Sequence, residues 1–217
     1  MKVVLAAPAY GPVEPEARDA LINAVVFAAK HGTEWAGTAS TNREGWESAR
    51  NRPTKEILAE GGVDGIMWVD SDMLVPQDGF ARLLDPNLDL ISGLYFQRLP
   101  PYWPNLYTWN GSSRMFRRLR QYPESTLTPI GGFGFGICFT SVKVLRAVGP
   151  DPFKFGKYSE DLSFCHRATL AGFQPYADTG VIARHHQGPR WIGERDFRRW
   201  MATMSDFDAP GPERVRQ

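Results

Sequence analysis

The chain has 217 residues, 42% of them hydrophobic, which is enough to bury one sizeable core and leaves little room for a second full domain. With 25 Lys and Arg against 24 Asp and Glu, its net charge of +1 excludes a global attraction to nucleic acid or to an acidic surface, so any basic patch must be local. No segment reaches the roughly 18 apolar residues of a membrane span, the run after Met1 and Lys2 is too short for a signal-peptide core, and Cys138 and Cys165 lack C-x-x-C spacing. The expectation is a soluble cytoplasmic protein with reduced, buried thiols.

In chain order, Lys2 to Ala7 is β-rich and apolar, and Pro8-Ala9-Tyr10-Gly11-Pro12 stops it, which predicts a first strand and its loop. From Glu14 to Lys30, Ala17, Ala20, Leu21, Ala24, Val25 and Ala28 recur at helical spacing, with Pro15 near the start and Gly32 past the end. Thr33 to Ser40 reads as a weaker second strand. Arg43 to Glu60 reads as a helix broken or kinked at Pro53. Ile66, Met67, Trp68 and Val69 then form an unbroken apolar run, which suits a central strand covered on both faces. These segments follow the order β-α-β-α-β, the pattern of a parallel sheet with helices on its faces and a natural nucleotide-binding half-fold.

Asp70 and Asp72 arrive as the chain leaves that central strand. In open α/β sheets ligands bind at the carboxyl ends of strands, and two carboxylates separated by Ser71 suit a hard divalent cation with open positions for phosphate oxygens. A turn with a helix cap accounts for Asp70-Ser71-Asp72 equally well at this point.

Pro76 to Leu84 predicts a short helix and Leu88 to Tyr95 a strand. Residues 99 to 130, rich in Pro, Arg and aromatic side chains, predict irregular structure with short strands, a hairpin turn at Asn110-Gly111, and an acceptor-side or lid role. Arg114, Arg117, Arg118 and Arg120 suit either a solvated hairpin or contact with the phosphates of a polymer. The glycines Gly131, Gly132, Gly134 and Gly136 precede a strand at Ile137 to Thr140, so they are not a dinucleotide fingerprint; close approach to a ligand, or a bend in the sheet, is expected.

Ser141 to Val148 predicts a short helix. A stronger one, Leu162 to Ala171, opens after Tyr158-Ser159-Glu160-Asp161 and closes at Gly172, and capping alone could explain the two acids. Phe173 to Tyr176 and Gly180 to Ala183 read as two short strands, Arg184-His185-His186-Gln187 as a basic loop, and the segment from Glu194 as an amphipathic helix with Phe197, Trp200 and Met201 on one side.

Together these segments resemble the small GT-A fold glycosyltransferases of family-2 type from bacteriophages and bacteria. The resemblance runs from Val3 to about Gly188. It is carried by Val69 to Met73 after its apolar strand, by Ala49-Arg50-Asn51, and by Ile91 to Phe96. Gly134 to Phe139, Ser159 to Ala168 with Ala171-Gly172-Phe173, and His185 following Asp178-Thr179 complete it. It implies a Rossmann-like α/β nucleotide-diphospho-sugar transferase fold with a mostly parallel central sheet flanked by helices. One domain would cover 1–205, with a nucleotide-sugar half at 1–98, an acceptor and catalytic half at 99–205, and a flexible tail at 206–217.

The activity implied is metal-dependent transfer of a sugar from a nucleotide-diphosphate donor to an acceptor hydroxyl, with inversion. The acceptor would be a glycan, a small molecule or modified DNA, and in a phage-encoded member the site of action would be the host cytoplasm. By position, Pro8, Ala9 and Tyr10 would lie against base and ribose and Arg50 would reach the nucleotide. Asp70 would sit near ribose and diphosphate with Ser71, and Asp72 would bind Mn²⁺ or Mg²⁺ directly; Asp70, Asp72 and His185 make up the implied metal shell. Asp161 would be the general base, and Glu160 would hold acceptor or sugar hydroxyls. Arg184 departs from the small residue usual before the histidine, which leaves His185 and His186 both open as ligands. A binding module of the same fold without catalysis is one alternative. A nucleotidyltransferase is another, although Ala7-Pro8-Ala9-Tyr10 lacks the glycine-rich basic signature such enzymes carry after the first strand.

Overall fold

The computed structural model describes residues 1–9, 11–42 and 44–204; Tyr10, Arg43 and the tail 205–217 lie outside the described residues. In chain order the elements are β1 (Lys2–Ala9), α1 (Pro15–Lys30), β2 (Glu34–Asn42), α2 (Trp46–Glu60), β3 (Gly65–Val69), β4 (Met73–Leu74), α3 (Gly79–Leu83), β5 (Leu90–Leu94), β6 (Leu106–Asn110) and β7 (Met115–Arg118). There follow β8 (Leu127–Pro129), β9 (Gly132–Phe133), β10 (Ile137–Ser141), α4 (Val142–Val148), α5 (Glu160–Leu170), β11 (Tyr176–Ile182), β12 (Arg184–Gln187), β13 (Arg190–Ile192) and α6 (Glu194–Met204).

The central sheet has seven strands in the order β2-β1-β3-β10-β5-β11-β8. Strands β1, β2, β3, β5 and β11 run the same way, and β10 and β8 run against them. Alternate residues of a strand face opposite sides of a sheet, and β3 shows what that demands when both sides are covered. Ile66 and Trp68 enter one core with Cys138, Phe135, Phe153 and Phe164, while Met67 and Val69 enter the other with Ala24, Ala28, Ile137 and Phe139. Two buried layers require apolar side chains at every position, hence the unbroken run. Cys138 and Cys165 are free thiols in the first of these cores. Among the described residues no helix is long and apolar enough to cross a membrane.

Two local expectations are corrected, and of the break or kink expected at Pro53 the break is absent: helix α2 passes through it. A proline at that position cannot bond the carbonyl four residues back, and the Ala49 oxygen so released accepts instead from the Thr41 hydroxyl of β2 at 3.3 Å. The two short strands expected around 173–183 are one strand, β11, whose pairing with β5 slips between Asp178 and Ile182. Residues 184 to 187 are not a loop but the middle strand of a small sheet, β13-β12-β4, in which Arg184 pairs with Leu74 and His185 with Met73.

The expected hairpin is present as β6 and β7, with Asn110 paired to Met115. Its arginines do not share one face. Arg118 lies over the Tyr107 ring and Arg120 over Trp103, whereas Arg117 is exposed.

Candidate active site

The site forms where β3 ends. Val69 is the last residue paired to β10, opposite Ile137, and the Asp70 N–H then donates to the Gly136 carbonyl at 3.0 Å. The Ser71 N–H donates to the Pro8 carbonyl at 3.2 Å, which ties the acidic turn to the end of β1, where Pro8 and Ala9 lie. Tyr10, expected beside them, falls outside the described residues.

The space expected for a ligand is taken by Tyr95 beside Gly134 and Gly136, by Trp109 beside Gly131 and by Cys165 and Leu162 beside Gly132. A side chain on Gly136 would lie 2.7 Å from the Tyr95 ring, and the Gly136 N–H donates to the Tyr95 hydroxyl at 3.1 Å. Burial pushes the Tyr95 phenol well above its ordinary range.

Asp72 and His185 meet across the small sheet. His185 Nδ1 stands 3.0 Å from the Phe96 carbonyl, which can only accept, so Nδ1 carries the hydrogen. In the neutral ring this leaves the Nε2 lone pair facing Asp72 Oδ2 at 3.2 Å. Two ligands each about 2.1 Å from an octahedral cation stand about 3 Å apart, so this donor pair fits a divalent metal, and the Nδ1 hydrogen bond is the orienting contact that metal-binding histidines usually make. Mixed imidazole and carboxylate donors suit Mn²⁺ better than Mg²⁺. Burial works to raise the Asp72 pKa, but the His185 ring, when protonated and donating from Nε2, and the Arg98 guanidinium outweigh it and hold the carboxyl below its usual range. Arg98 Nη1 lies 3.3 Å from the same Asp72 oxygen.

The His186 backbone N–H donates to the Asp72 carbonyl at 2.8 Å, but its ring takes no part in this pair. On the alternate face of β12 it packs against the Trp191 ring at 4.8 Å and stands 3.9 Å from Glu14. Asp70 is turned to Arg50, whose Nη2 bonds its two oxygens at 3.1 and 3.4 Å. Accordingly, no group of three or more His, Cys, Asp or Glu side chains placed to hold a metal occurs among the described residues. Asp72 and His185 are brought together, and Asp70 stands behind them on Arg50.

Arg50 joins the acidic turn to α5. It is 3% exposed, lies over the Trp68 and Phe135 rings at 5.8 and 5.5 Å, and places Nε 3.7 Å from Asp161 Oδ1. Burial disfavours its charge, yet Asp70 and Asp161 hold the guanidinium firmly protonated.

Capping does not account for Asp161. The N-cap of α5 is Ser159, whose hydroxyl accepts from the Leu162 N–H, and Asp161 Oδ2 accepts instead from the Phe135 N–H at 3.1 Å. Asp161 Oδ1 is buried without a hydrogen bond among the described residues. Burial pushes the Asp161 carboxyl up to about 7, with Arg50 opposing and Glu160 and Asp70 adding to the rise. Glu160 is itself buried and raised by that burial.

The residues not foreseen from sequence are Tyr95, Arg98, the Phe96 carbonyl and the Phe135 amide. Tyr95, Phe96 and Phe135 stand in stretches that carry the family resemblance, which is a usable signal; a lone Arg in a loop carries none.

No protein-family model matches the chain, and no curated protein matches it in sequence. Among solved structures, A197 from STIV is similar over 90% of this chain and 92% of that one, with a TM-score of 0.63 and 17% identity. A crystal structure of GalNAc-T7 with UDP, GalNAc and Mn²⁺ is similar over 93% of this chain, with a TM-score of 0.50 and 10% identity, and this chain spans 47% of that one. At these identities the likeness is one of fold. It shows the GT-A type architecture, a mixed α/β layer structure around a large, mostly parallel sheet.

Proposed function

We propose that the chain is a metal-dependent, inverting glycosyltransferase that moves a sugar from a nucleotide-diphosphate donor to an acceptor hydroxyl. The observation that carries this reading is Asp161, a half-buried carboxylate at the start of α5 whose Oδ1 makes no hydrogen bond among the described residues and whose pKa is pushed up to about 7. A base whose pKa lies near the working pH combines a useful deprotonated fraction with enough basicity to accept a proton. The fold shared with GalNAc-T7, crystallised with UDP, GalNAc and Mn²⁺, supports the donor class.

In this reading residues 1–98 form the donor side and 99–205 the acceptor and catalytic side. Pro8, Ala9 and Ser71 border the nucleotide, since the Ser71 N–H holds the acidic turn to the end of β1. Asp72 and His185 would hold Mn²⁺ or Mg²⁺, which when bound supplies charge neutralisation to the departing diphosphate. Arg50 fixes Asp70 and Asp161 relative to each other through one buried guanidinium. Asp161 takes the acceptor hydroxyl proton as that oxygen bonds the anomeric carbon and the bond to the diphosphate breaks, and one displacement inverts the centre. Glu160 binds sugar or acceptor hydroxyls beside it.

Asp161→Asn tests the assignment. The substitution is nearly isosteric and leaves Asp72 and His185 untouched, so calorimetry with donor and Mn²⁺ should give wild-type binding. Transfer should fall by about a hundred- to ten-thousandfold, the contribution of a positioned general base. Near-normal transfer by a folded variant would remove the base from Asp161 and make Glu160 the next candidate.

A further inference from the structure

Arg98 reaches back from the loop after β5 to the acid and imidazole pair. Its Nη1 stands 3.3 Å from Asp72 Oδ2, the same oxygen that faces His185 Nε2. The loop is held at both ends: the Gln97 N–H donates to the Trp103 carbonyl and the Tyr102 N–H to the Leu99 carbonyl, each at 2.9 Å. The neighbouring Phe96 carbonyl is the group that orients His185. One stretch of backbone therefore sets the imidazole and delivers the guanidinium. The Arg98 side chain is 45% exposed, and among the described residues Asp72 is its only charged partner, so it can leave that carboxylate without disturbing the core.

A guanidinium has donors and no acceptor, so it cannot coordinate a cation; it can only compete with one for Asp72. The sign of its effect then depends on what accompanies the cation. A bare divalent ion at Asp72 meets the positive charge of Arg98 and is opposed. A divalent ion carrying the donor's doubly charged diphosphate is neutral overall, and with inorganic pyrophosphate it is anionic, so the opposition is lifted and the same guanidinium finds phosphate oxygens that match its fork. We infer that Arg98 is an exchanging counter-ion, neutralising Asp72 in the metal-free protein and moving to a diphosphate oxygen of the donor when metal and donor arrive together. This makes it a diphosphate-binding residue that disfavours metal alone, and it rests on the reading of Asp72 and His185 as metal ligands.

The test uses the full chain, Arg98→Gln, and two probes: Mn²⁺ alone, followed by electron paramagnetic resonance of the free ion, and inorganic pyrophosphate in the presence of Mn²⁺, followed by calorimetry. The variant should bind Mn²⁺ alone about threefold more tightly, the scale of one partly exposed charge contact. It should bind Mn²⁺ with pyrophosphate about tenfold more weakly, through loss of a charge-assisted phosphate contact. Shifts of opposite sign support the exchange, because a loss of local structure would weaken both. Two unchanged affinities, or two shifts of the same sign, overturn it. Wild-type protein that binds Mn²⁺ with neither probe would remove the metal reading itself, and the role of Arg98 with it; wild-type binding that Arg98→Gln leaves intact removes the role of Arg98 alone. If Arg98→Gln does not fold, Arg98→Lys decides: it should keep wild-type Mn²⁺ affinity and lose part of the pyrophosphate binding, and equal binding of both probes overturns the proposal.

Discussion

Asp161 shows how opposing effects at a single residue become measurable. Burial drives its carboxyl upward, the Arg50 guanidinium at 3.7 Å drives it down, and Glu160 with Asp70 drive it up again, leaving it at about 7. An acid whose folded pKa exceeds its unfolded value of about 4 holds a proton in the native state that the unfolded chain has released. Its contribution to stability is full below about pH 4 and is lost as pH rises through 7. Asp161→Asn should therefore gain thermal stability relative to wild type between pH 5 and pH 8, read as melting temperature at both values. Glu160 and Asp70, raised in the same direction, leave a residual slope in the variant. Parallel melting curves for the two proteins would show that Asp161 titrates normally.

Strand β12 sorts the two histidines, because successive residues of a strand face opposite sides. His185 faces Asp72, and His186 faces Trp191 and Glu14. His185→Ala should accordingly abolish most Mn²⁺ binding in the presence of pyrophosphate, while His186→Ala leaves it near wild type; equal losses would contradict the assignment. Helix α2 offers a second test. Thr41→Val removes the hydroxyl that serves the carbonyl released by Pro53 and should cost about 1 kcal/mol in denaturant unfolding, the usual worth of a buried hydrogen bond. No change in the midpoint would mean the Ala49 carbonyl is served otherwise.

The same two elements mark where sequence stops being informative. The order β1-α1-β2-α2-β3 was legible because each element carries its own period, and β3 because a strand buried on both faces has no polar position. Continuity through Pro53 was not legible, since it depends on a hydroxyl from another element. Nor was β12, whose partner β4 is two residues long and distant in sequence. Asp70, Asp72 and Asp161 were legible through the acidic turn and the family resemblance, but the resemblance left His185 and His186 undivided, and only the register of β12 separates them. Arg98 lacked any pattern. Its partner is set by where a loop returns.

At the scale of the whole molecule, a net charge of +1 conceals a strong local order. Strand β3 delivers Asp70 and Asp72, the turn after β5 delivers Tyr95 and Arg98, β12 delivers His185, and the start of α5 delivers Glu160 and Asp161. Four segments distant in sequence converge on one end of one sheet, where Arg50 joins two of them. The most direct test of this arrangement is release of nucleoside diphosphate from a panel of nucleotide-sugars in the presence of Mn²⁺, followed by phosphorus nuclear magnetic resonance. The account predicts that at least one donor is cleaved, that chelation with EDTA stops the reaction while circular dichroism stays native, and that Asp72→Asn loses both donor binding and turnover. Release at the original rate from metal-free protein, or from Asp72→Asn, would contradict it.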